Sequence, residues 1–399
     1  MRVLQLCHKP PLPKIDGGCI AIFNLSEGLN QKCDVFHMLT LSTEKHPFIR
    51  SAYAEEFLNA TQLDAVFVDT RVNIIDAFSA LVTADSYNVS RFFSPDFDRM
   101  LEQRLKQNPY DIIQLESLFM TPYISTIRRN SHARIVLRSH NLEHLIWERL
   151  ANTAGNQAKK LYLKHLASKL KKYEKRTINE VDGIAAISFE DTKRFQDFKC
   201  SVPLITIPFG VDLEKYPDHS PADPTPLKLF HLGAMNWSPN LEAIHWFLDD
   251  IWPGIEDLPV ELHLAGRGMP ESIKKQSSAK LIVQDEVESA IQFMQQFDVM
   301  LVPLLSGSGM RVKIIEGMAL GKIVITTRVG AEGIDYVDGK HLLIADTPEK
   351  FRSHIRTLCE NPVLLKTISR NARKLAEEKY DNQNITDKLI SFYHSLNTL

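Results

Sequence analysis

Apolar residues in this chain gather in short continuous runs, and between the runs they return every three or four positions. The runs are "RVLQL", "DVFHMLTL", "DAVFV", "DIIQL", "RIVLRS", "DGIAAIS" and "PLITIP", then "LKLFHLG", "VELHLAG", "KLIVQ", "DVMLVPL" and "KIVITT". Runs so short and so apolar suit strands covered on both faces, while the longer spacing between them is helical. Strand and helix in alternation predict βαβ units and mostly parallel sheets, an α/β architecture. The alternation breaks at "GVDLEKYPDHSPADPTPLK", residues 210–228, where prolines and aspartates crowd together as in a linker. Two doubly wound halves are therefore expected, with a helical tail without strands at residues 347–397.

Composition refines this reading. A length of 399 residues suits two domains better than one core. With 44% hydrophobic and 24% charged residues the chain has the make-up of a folded protein and no disorder signature. A formal charge of −2 gives no global attraction to nucleic acid or anionic lipid, so no nucleic-acid partner is expected and any such contact has to be local. Cys7, Cys19, Cys33, Cys200 and Cys359 are odd in number and lack ligand spacing, which predicts neither a disulfide framework nor a metal site. A reducing cytoplasm is the expected location. The opening "MRVLQLCHKPPLP" reads as a first strand rather than a signal peptide, and no run approaches the roughly 18 apolar residues of a membrane span.

In open α/β sheets ligands bind beyond the carboxyl ends of strands, so the loops that follow strands carry the candidate chemistry. After the first strand a long proline-rich loop ends at Gly17 and Gly18 before a helix. Such glycines let backbone amides approach an anion, and they serve a plain turn equally well. The pattern is not the dinucleotide fingerprint GxGxxG. In "VLRSHNLEHLIWERL", His140 directly follows a strand, Asn141 is a candidate helix cap, Glu143 falls in the first helical turn, and His144 is expected on the helix surface. His140 can donate to a substrate hydroxyl or a departing phosphate, or can be a structural histidine. "LAGRG", residues 264–268, holds Arg267 between glycines, as a phosphate contact or an exposed turn residue.

The densest stretch is "GSGMRVKIIEGMALGK", residues 307–322. A strand precedes it, "SGSGM" is a turn, and Ile314, Ile315, Met318 and Ala319 have helical spacing toward a core. Lys313 and Glu316 lie three apart, hence on one face opposite that stripe. A helix N-terminus with Arg311 and Lys313 is a site for a diphosphate, and Glu316 one turn deeper is an acceptor for a pair of sugar hydroxyls. Two other motifs are set aside. "GMALGK" is one residue short of a phosphate loop and is followed by Ile323 where a hydroxyl is needed. "DFD" at Asp96–Asp98 follows "SP" and opens a helix, so capping explains it better than metal binding.

In order along the chain, "DGG", "RSHNLEH", "IPFGVD", "LGAMNWSPN", "LAGRG" and "GSGMRVKIIEGMALG" resemble GT-B glycosyltransferases of the group 1 type, family 4, over essentially the whole length. The resemblance implies two Rossmann-like domains facing a cleft. Residues 1–209 would form the acceptor-side domain and 210–379 the nucleotide-sugar domain, with 380–399 a helix returning to the first. It implies transfer from a nucleotide sugar to a carbohydrate or lipid-linked acceptor with retention, with no metal and no cofactor. The family's donor site ends in two glutamates with seven residues between them. The second matches Glu316, on the ribose, and the first falls on Ser308, which with Gly309 and Met310 would hydrogen-bond the donor sugar. Many relatives carry an arginine and a lysine after the strand where this chain has Ala234, Asn236 and Trp237, so Arg311 and Lys313 are expected to neutralise the diphosphate instead.

The resemblance also sets His140 beside the donor sugar, the amides of Gly17 and Gly18 on the donor phosphates, and the loop at residues 283–288, with Gln284 and Val287, around the base. His140 and Glu316 are thus the catalytic candidates. With no convincing nucleophile, front-face displacement is expected, in which the departing diphosphate takes the acceptor proton. The stretch at residues 156–176 has eight Lys or Arg against one acid, with Leu163, Leu166, Leu170 and Tyr173 along one face. It either meets an anionic inner membrane face or packs on its own domain. Two rival readings share the architecture: a nucleotide-sugar 2-epimerase, and a degenerate sugar-nucleotide binder.

Overall fold

In the computed structural model, residues 1–70, 87–218, 225–307 and 309–397 are described. The chain forms two compact units, Met1–Phe209 with Gln383–Leu399, and Gly210–Asn382. The first holds a seven-stranded sheet: β1 (Arg2–Cys7), β2 (Val35–Ser42), β3 (Asp64–Phe67), β4 (Ile112–Glu116), β5 (Arg134–Ser139), β6 (Gly183–Ala186) and β7 (Leu204–Thr206), ordered β3-β2-β1-β4-β5-β6-β7. The second holds β8 (Leu227–Leu232), β9 (Val260–Ala265), β10 (Leu281–Val283), β11 (Val299–Val302), β12 (Ile323–Thr326) and β13 (Leu343–Ile344), ordered β10-β9-β8-β11-β12-β13. Every ladder among the described residues is parallel.

All twelve apolar runs are strands. Among the described residues only the two-residue β13 has no counterpart in those runs, because a pair of apolar residues carries no period. The helices that bear on the site are α1 (Gly17–Lys32), α2 (Pro95–Gln107), α3 (Glu143–Thr153), α4 (Gln157–Thr177), α5 (Ser238–Trp246), α6 (Val312–Ala319) and α7 (Asn382–Asn397). The "DFD" aspartates lie in the first turn of α2, and Ser94 is the cap, accepting from the Phe97 amide. In the first unit, one face of the sheet packs Leu4, Leu6, Ile113, Leu115, Ile135 and Leu137. The other face carries Val3, Ile112 and Val136 under Ile22, Leu25 and Leu29 of α1 and Leu389, Phe392 and Leu396 of α7.

Both sheets reverse their winding order at a central strand, β1 in the first and β8 in the second. Loops on either side of such a switch point diverge, so crevices open at the carboxyl ends of β1 and β4 and of β8 and β11. Residues 210–218 of the expected linker belong to the second unit, where Val211 pairs with Asp381. Among the described residues no helix is long and apolar enough to cross a membrane.

The loops after β8 and β9 are locked together: Met235 N–H donates to Arg267 O at 2.8 Å, and Gly233 N–H to Ala265 O at 3.0 Å. Gly266 has φ +149°, and a Cβ there would lie 1.9 Å from Gly233 O. Backbone cannot yield as a flexible side chain does, so Gly266→Ala should cost about 2 kcal/mol or more. A fall of about 4 °C or more in the melting temperature is expected in a thermal scan; an unchanged transition would show that the turn has slack.

Candidate active site

In the first unit, β1, β4 and β5 are adjacent, with Gln5 beside Gln114 and Glu116 beside Arg138. Residues two apart share a face, so these four form a polar stripe on the side covered by α1 and α7. Glu116 and Gln114 are fully buried and Arg138 is 1% exposed. Gln5 Nε2 donates to Glu116 Oε1 at 2.7 Å and the Gln114 amide donates to the same oxygen. Ser26 Oγ donates to Gln5 Oε1 at 2.6 Å, and Tyr393 of α7 donates to Gln114. Arg138 Nε stands 3.7 Å from Glu116 Oε2, and its Nη1 donates to Ile207 O at 3.1 Å. An ion pair buried this deeply depends on further hydrogen bonds; the Glu116 carboxylate has them, and the guanidinium has carbonyl partners for its Nη atoms, while Nε has the charge contact alone.

His140, directly after β5, is buried and bonds through Nε2 to Glu116 Oε2 at 2.6 Å. Its ring meets His8 edge-on at 5.8 Å and Phe209 at 5.4 Å. His8 bonds through Nδ1 to the Glu116 carbonyl at 2.9 Å, and burial holds it well below the usual imidazole range. Four of these groups, His8, Glu116, Arg138 and Gln114, carry no sequence signal of their own, since each reads as strand or loop filler.

Gly17 and Gly18 do open α1, as expected. The helix start already has an anion of its own: Asp16 accepts from the Cys19 amide at 2.9 Å, from Lys9 Nζ at 2.7 and 2.9 Å, and bonds His46 Nε2 at 2.9 Å. Burial alone would raise the Asp16 carboxyl, but His46 and Lys9 hold it far below its ordinary range. A Cβ on Gly18 would lie 2.6 Å from Lys9 Nζ, so glycine makes room for that ammonium. Asp16, Cys19 and His46 bring ligand atoms within 4.8 Å of one another. The Lys9 ammonium on the carboxylate, and a Cys19 thiol pushed up to about 11 by burial, make this a poor cation site.

The loop after His140 departs from expectation. Asn141 does not cap α3; the cap position is Leu142, with no side-chain bond. Glu174 of α4 does the work from a distance, accepting from the Glu143 amide at 2.7 Å and the His144 amide at 3.3 Å. His144 is not on the surface but buried and paired with Glu174. The capping carboxylate needed a partner, and the neighbouring helix brings one too. Glu143 sits in the first turn, and burial, together with the Glu174 charge, pushes its carboxyl up to about 8. In α4, Leu163, Ala167 and Leu170 are buried, so the stripe that could have met a membrane is turned inward, with Leu170 in a cluster with Val89 and Leu118.

In the second unit, Ile314, Ile315, Met318 and Ala319 of α6 are buried as their spacing predicts, and Val312 is buried with them. Arg311 precedes the helix, 7% exposed, with Nη1 donating to Gly309 O and its guanidinium over the Trp237 ring at 5.6 Å. Met310 is buried beside it, and Ser308 lies outside the described residues. Lys313 is half-buried, its ammonium turned in to Leu232 O at 3.2 Å and Asn240 Oδ1 at 3.3 Å. Burial, and then the like charge of Arg311, push its pKa down to about 7. The two cations are therefore together, but neither stands open on the surface. Glu316 Oε1 accepts from Tyr216 Oη at 2.6 Å. Tyr216 lies in the proline-interrupted stretch read as linker, which is why sequence alone does not find it. Arg267 is exposed, and Gln284, exposed itself, donates through its backbone N–H to Leu264 O at 2.8 Å, which holds the loop carrying Val287 beside β9.

A pair of parallel α/β units, with cations near one switch point and a histidine near the other, fits the two-domain GT-B arrangement that the sequence resemblance implies. The family model described as Glycosyltransferase Family 4 matches residues 20–215, and that described as Glycosyl transferases group 1 matches residues 226–361. The chain belongs to the group 1 glycosyltransferases of GT-B fold. A relative described as an uncharacterized 44.6 kDa protein in the cps region of Klebsiella pneumoniae is 26% identical over 305 residues, 72% of this chain and 75% of that one. Sucrose-phosphate synthase from Thermosynechococcus elongatus superposes with TM-score 0.72 at 13% identity, over 100% of both chains. HepE from Anabaena in complex with UDP and glucose gives 0.65 at 14%, over 99% of this chain and 100% of that one. These structural likenesses speak to the fold; neither the epimerase nor the non-catalytic reading gains from them.

A buried cation lowers stability until an anion joins it. With a folded pKa near 7 and an unfolded one near 10.4, Lys313 weighs fully against folding below pH 7, and that burden fades as pH rises from 7 towards 10.4. Lys313→Met should therefore raise the ligand-free melting temperature at pH 7, by a margin that shrinks toward pH 10, while weakening the binding of nucleoside diphosphates. Thermal scans across pH with and without UDP check both; a variant that melts lower and binds as before would contradict the assignment.

Proposed function

We propose that this protein transfers a sugar from a nucleotide-sugar donor to an acceptor hydroxyl with retention, without metal or cofactor, in the biosynthesis of a polysaccharide, glycolipid or glycoconjugate. The observation that carries the reading is the Lys313 ammonium, enclosed with Arg311 as its charged neighbour and holding two neutral oxygens at 3.2 and 3.3 Å. Two cations pressed together at the end of a parallel strand favour a diphosphate over any neutral ligand. HepE, of like fold, is described in complex with UDP-glucose.

In this reading Arg311 and Lys313 neutralise the donor diphosphate, and Glu316, steadied by Tyr216, binds the ribose. Gly309 and Met310 offer backbone to the sugar, the loop with Gln284 and Val287 frames the base, and Arg267 supplies an outer phosphate contact. His140 takes the place beside the donor sugar that the family resemblance assigns it. The acceptor oxygen bonds to the anomeric carbon as the bond to the diphosphate breaks, and the acceptor proton passes to the departing phosphate oxygen. The protein's contribution is to stabilise the charge that develops on that leaving group.

A thermal-shift panel of nucleotide sugars tests the donor; a ligand at 100 times its dissociation constant adds about 2.7 kcal/mol of stability. Arg311→Ala should weaken donor binding roughly tenfold or more, since a charge-assisted contact contributes about 1.5–3 kcal/mol. Proton NMR of the product then reads the anomeric configuration, and inversion would refute the front-face route.

The acceptor is a carbohydrate or lipid-linked sugar, and the protein works in the cytoplasm with peripheral contact at the inner membrane face. The outer face of α4 supports this, with Lys159, Lys164, Lys172 and Lys175 exposed beside Leu161 and Tyr162. Its one acid, Glu174, is buried. Flotation with vesicles containing anionic lipid should carry the protein upward, and Lys159→Glu with Lys164→Glu should abolish this; equal recovery with neutral vesicles would argue against a charge-led contact.

A further inference from the structure

We propose that Glu116 is a positioning residue for His140: it fixes the imidazole with its hydrogen on Nε2 and so presents Nδ1 to the ligand as a hydrogen-bond acceptor. This rests on the reading above that His140 meets the donor sugar.

The argument begins with what Glu116 can do. Its carboxyl ends β4, two residues beyond Gln114, and it is fully buried. Burial alone would raise its pKa, but the His140 bond, the charge of Arg138 and the Gln5 bond hold it below the ordinary value. Glu116 is thus a carboxylate, and a carboxylate only accepts hydrogen bonds. The 2.6 Å contact to Nε2 therefore requires the hydrogen on Nε2.

The charged and titratable groups that face His140 are Glu116 of β4, Arg138 of β5, and His8 and Lys9 of the loop after β1. Burial, then Arg138 and Lys9, lower the His140 pKa against the upward pull of Glu116, so the ring is neutral at pH 7. A neutral imidazole with its hydrogen on Nε2 carries a lone pair on Nδ1. Among the described residues the ring's hydrogen bond is the one to Glu116, and its other neighbours, His8 and Phe209, meet it edge-on. Nδ1 is then left to accept a hydrogen from a sugar hydroxyl. Donation to a departing phosphate, the other role open to this histidine, would require protonation that the surrounding cations oppose.

The two glutamines make the device testable. Gln5 and Gln114 both donate to Oε1 of Glu116. In Glu116→Gln the new carbonyl oxygen has to keep that place, which turns the new NH2 toward His140. An NH2 donates to Nε2 and forces the hydrogen onto Nδ1, so the presented atom changes from acceptor to donor.

The experiment is long-range ¹⁵N–¹H NMR of the full chain labelled at histidine, with the His140 signal assigned by its loss in His140→Gln. The wild type is expected to show neutral His140 protonated on Nε2 at pH 7.5, and Glu116→Gln to show it protonated on Nδ1, with Glu116→Asp restoring the wild-type form. Transfer by Glu116→Gln should fall roughly 10- to 100-fold in kcat/KM, as when a histidine loses its orienting partner. The acid limb of the pH profile should move to lower pH, since the carboxylate that raises the His140 pKa is gone. Nδ1 protonation in the wild type overturns the proposal even if the variant does not fold, and so does an unmoved tautomer in a folded Glu116→Gln. Should the tautomers behave as stated while His140→Gln keeps full transfer, the donor-sugar reading falls, and with it the presentation of Nδ1 to that ligand.

Discussion

Parallel pairing is the constraint on which the rest of this molecule depends. A parallel strand has to be followed by a return crossing, so all strands of a sheet end on the same edge and all the loops that follow them gather there. The reversal of winding at β1 and at β8 then opens a crevice in each unit at a fixed address. His8, Lys9, Glu116 and His140 fall at the first, and Trp237, Arg311 and Lys313 at the second. Within each unit these residues come from separate stretches of the chain, and the common edge of its parallel sheet brings them together.

The two crevices handle buried charge in opposite ways. In the first unit a carboxylate and a guanidinium are buried together, with two glutamines, a serine, a tyrosine and two carbonyls bonded around them and Arg138 Nε left with the 3.7 Å charge contact alone. Such a set has no net charge and little give, so it suits the orientation of one histidine rather than the capture of an ion. In the second unit the lysine has neutral oxygens and a like-charged neighbour. That arrangement is unfavourable alone, and in the proposed function the donor diphosphate relieves it.

Two local arrangements tie site to scaffold. Trp237, from the charge-poor loop after β8, lies under the Arg311 guanidinium, so a loop that has no cation of its own still positions one. Tyr216 holds Glu316 from a segment whose prolines suggest mere connection, and Arg373 in turn holds the Tyr216 carbonyl at 2.5 Å.

By itself the sequence determined the strands, the doubly wound architecture and the buried stripe of α6. These are local properties: a run or a period of apolar residues records which face meets water, and neighbours along the chain suffice to read it. Only the tertiary structure decided the partners. Glu116 is only the last letter of β4 until Gln5 and His140, 111 and 24 residues away, close on it. His144 has the look of a surface residue until Glu174 arrives from the next helix, and Asp16 that of a turn residue until Lys9 and His46 converge on it. Hydrogen-bond partners are set by strand register and helix packing, which depend on contacts between distant segments, and no local pattern encodes them.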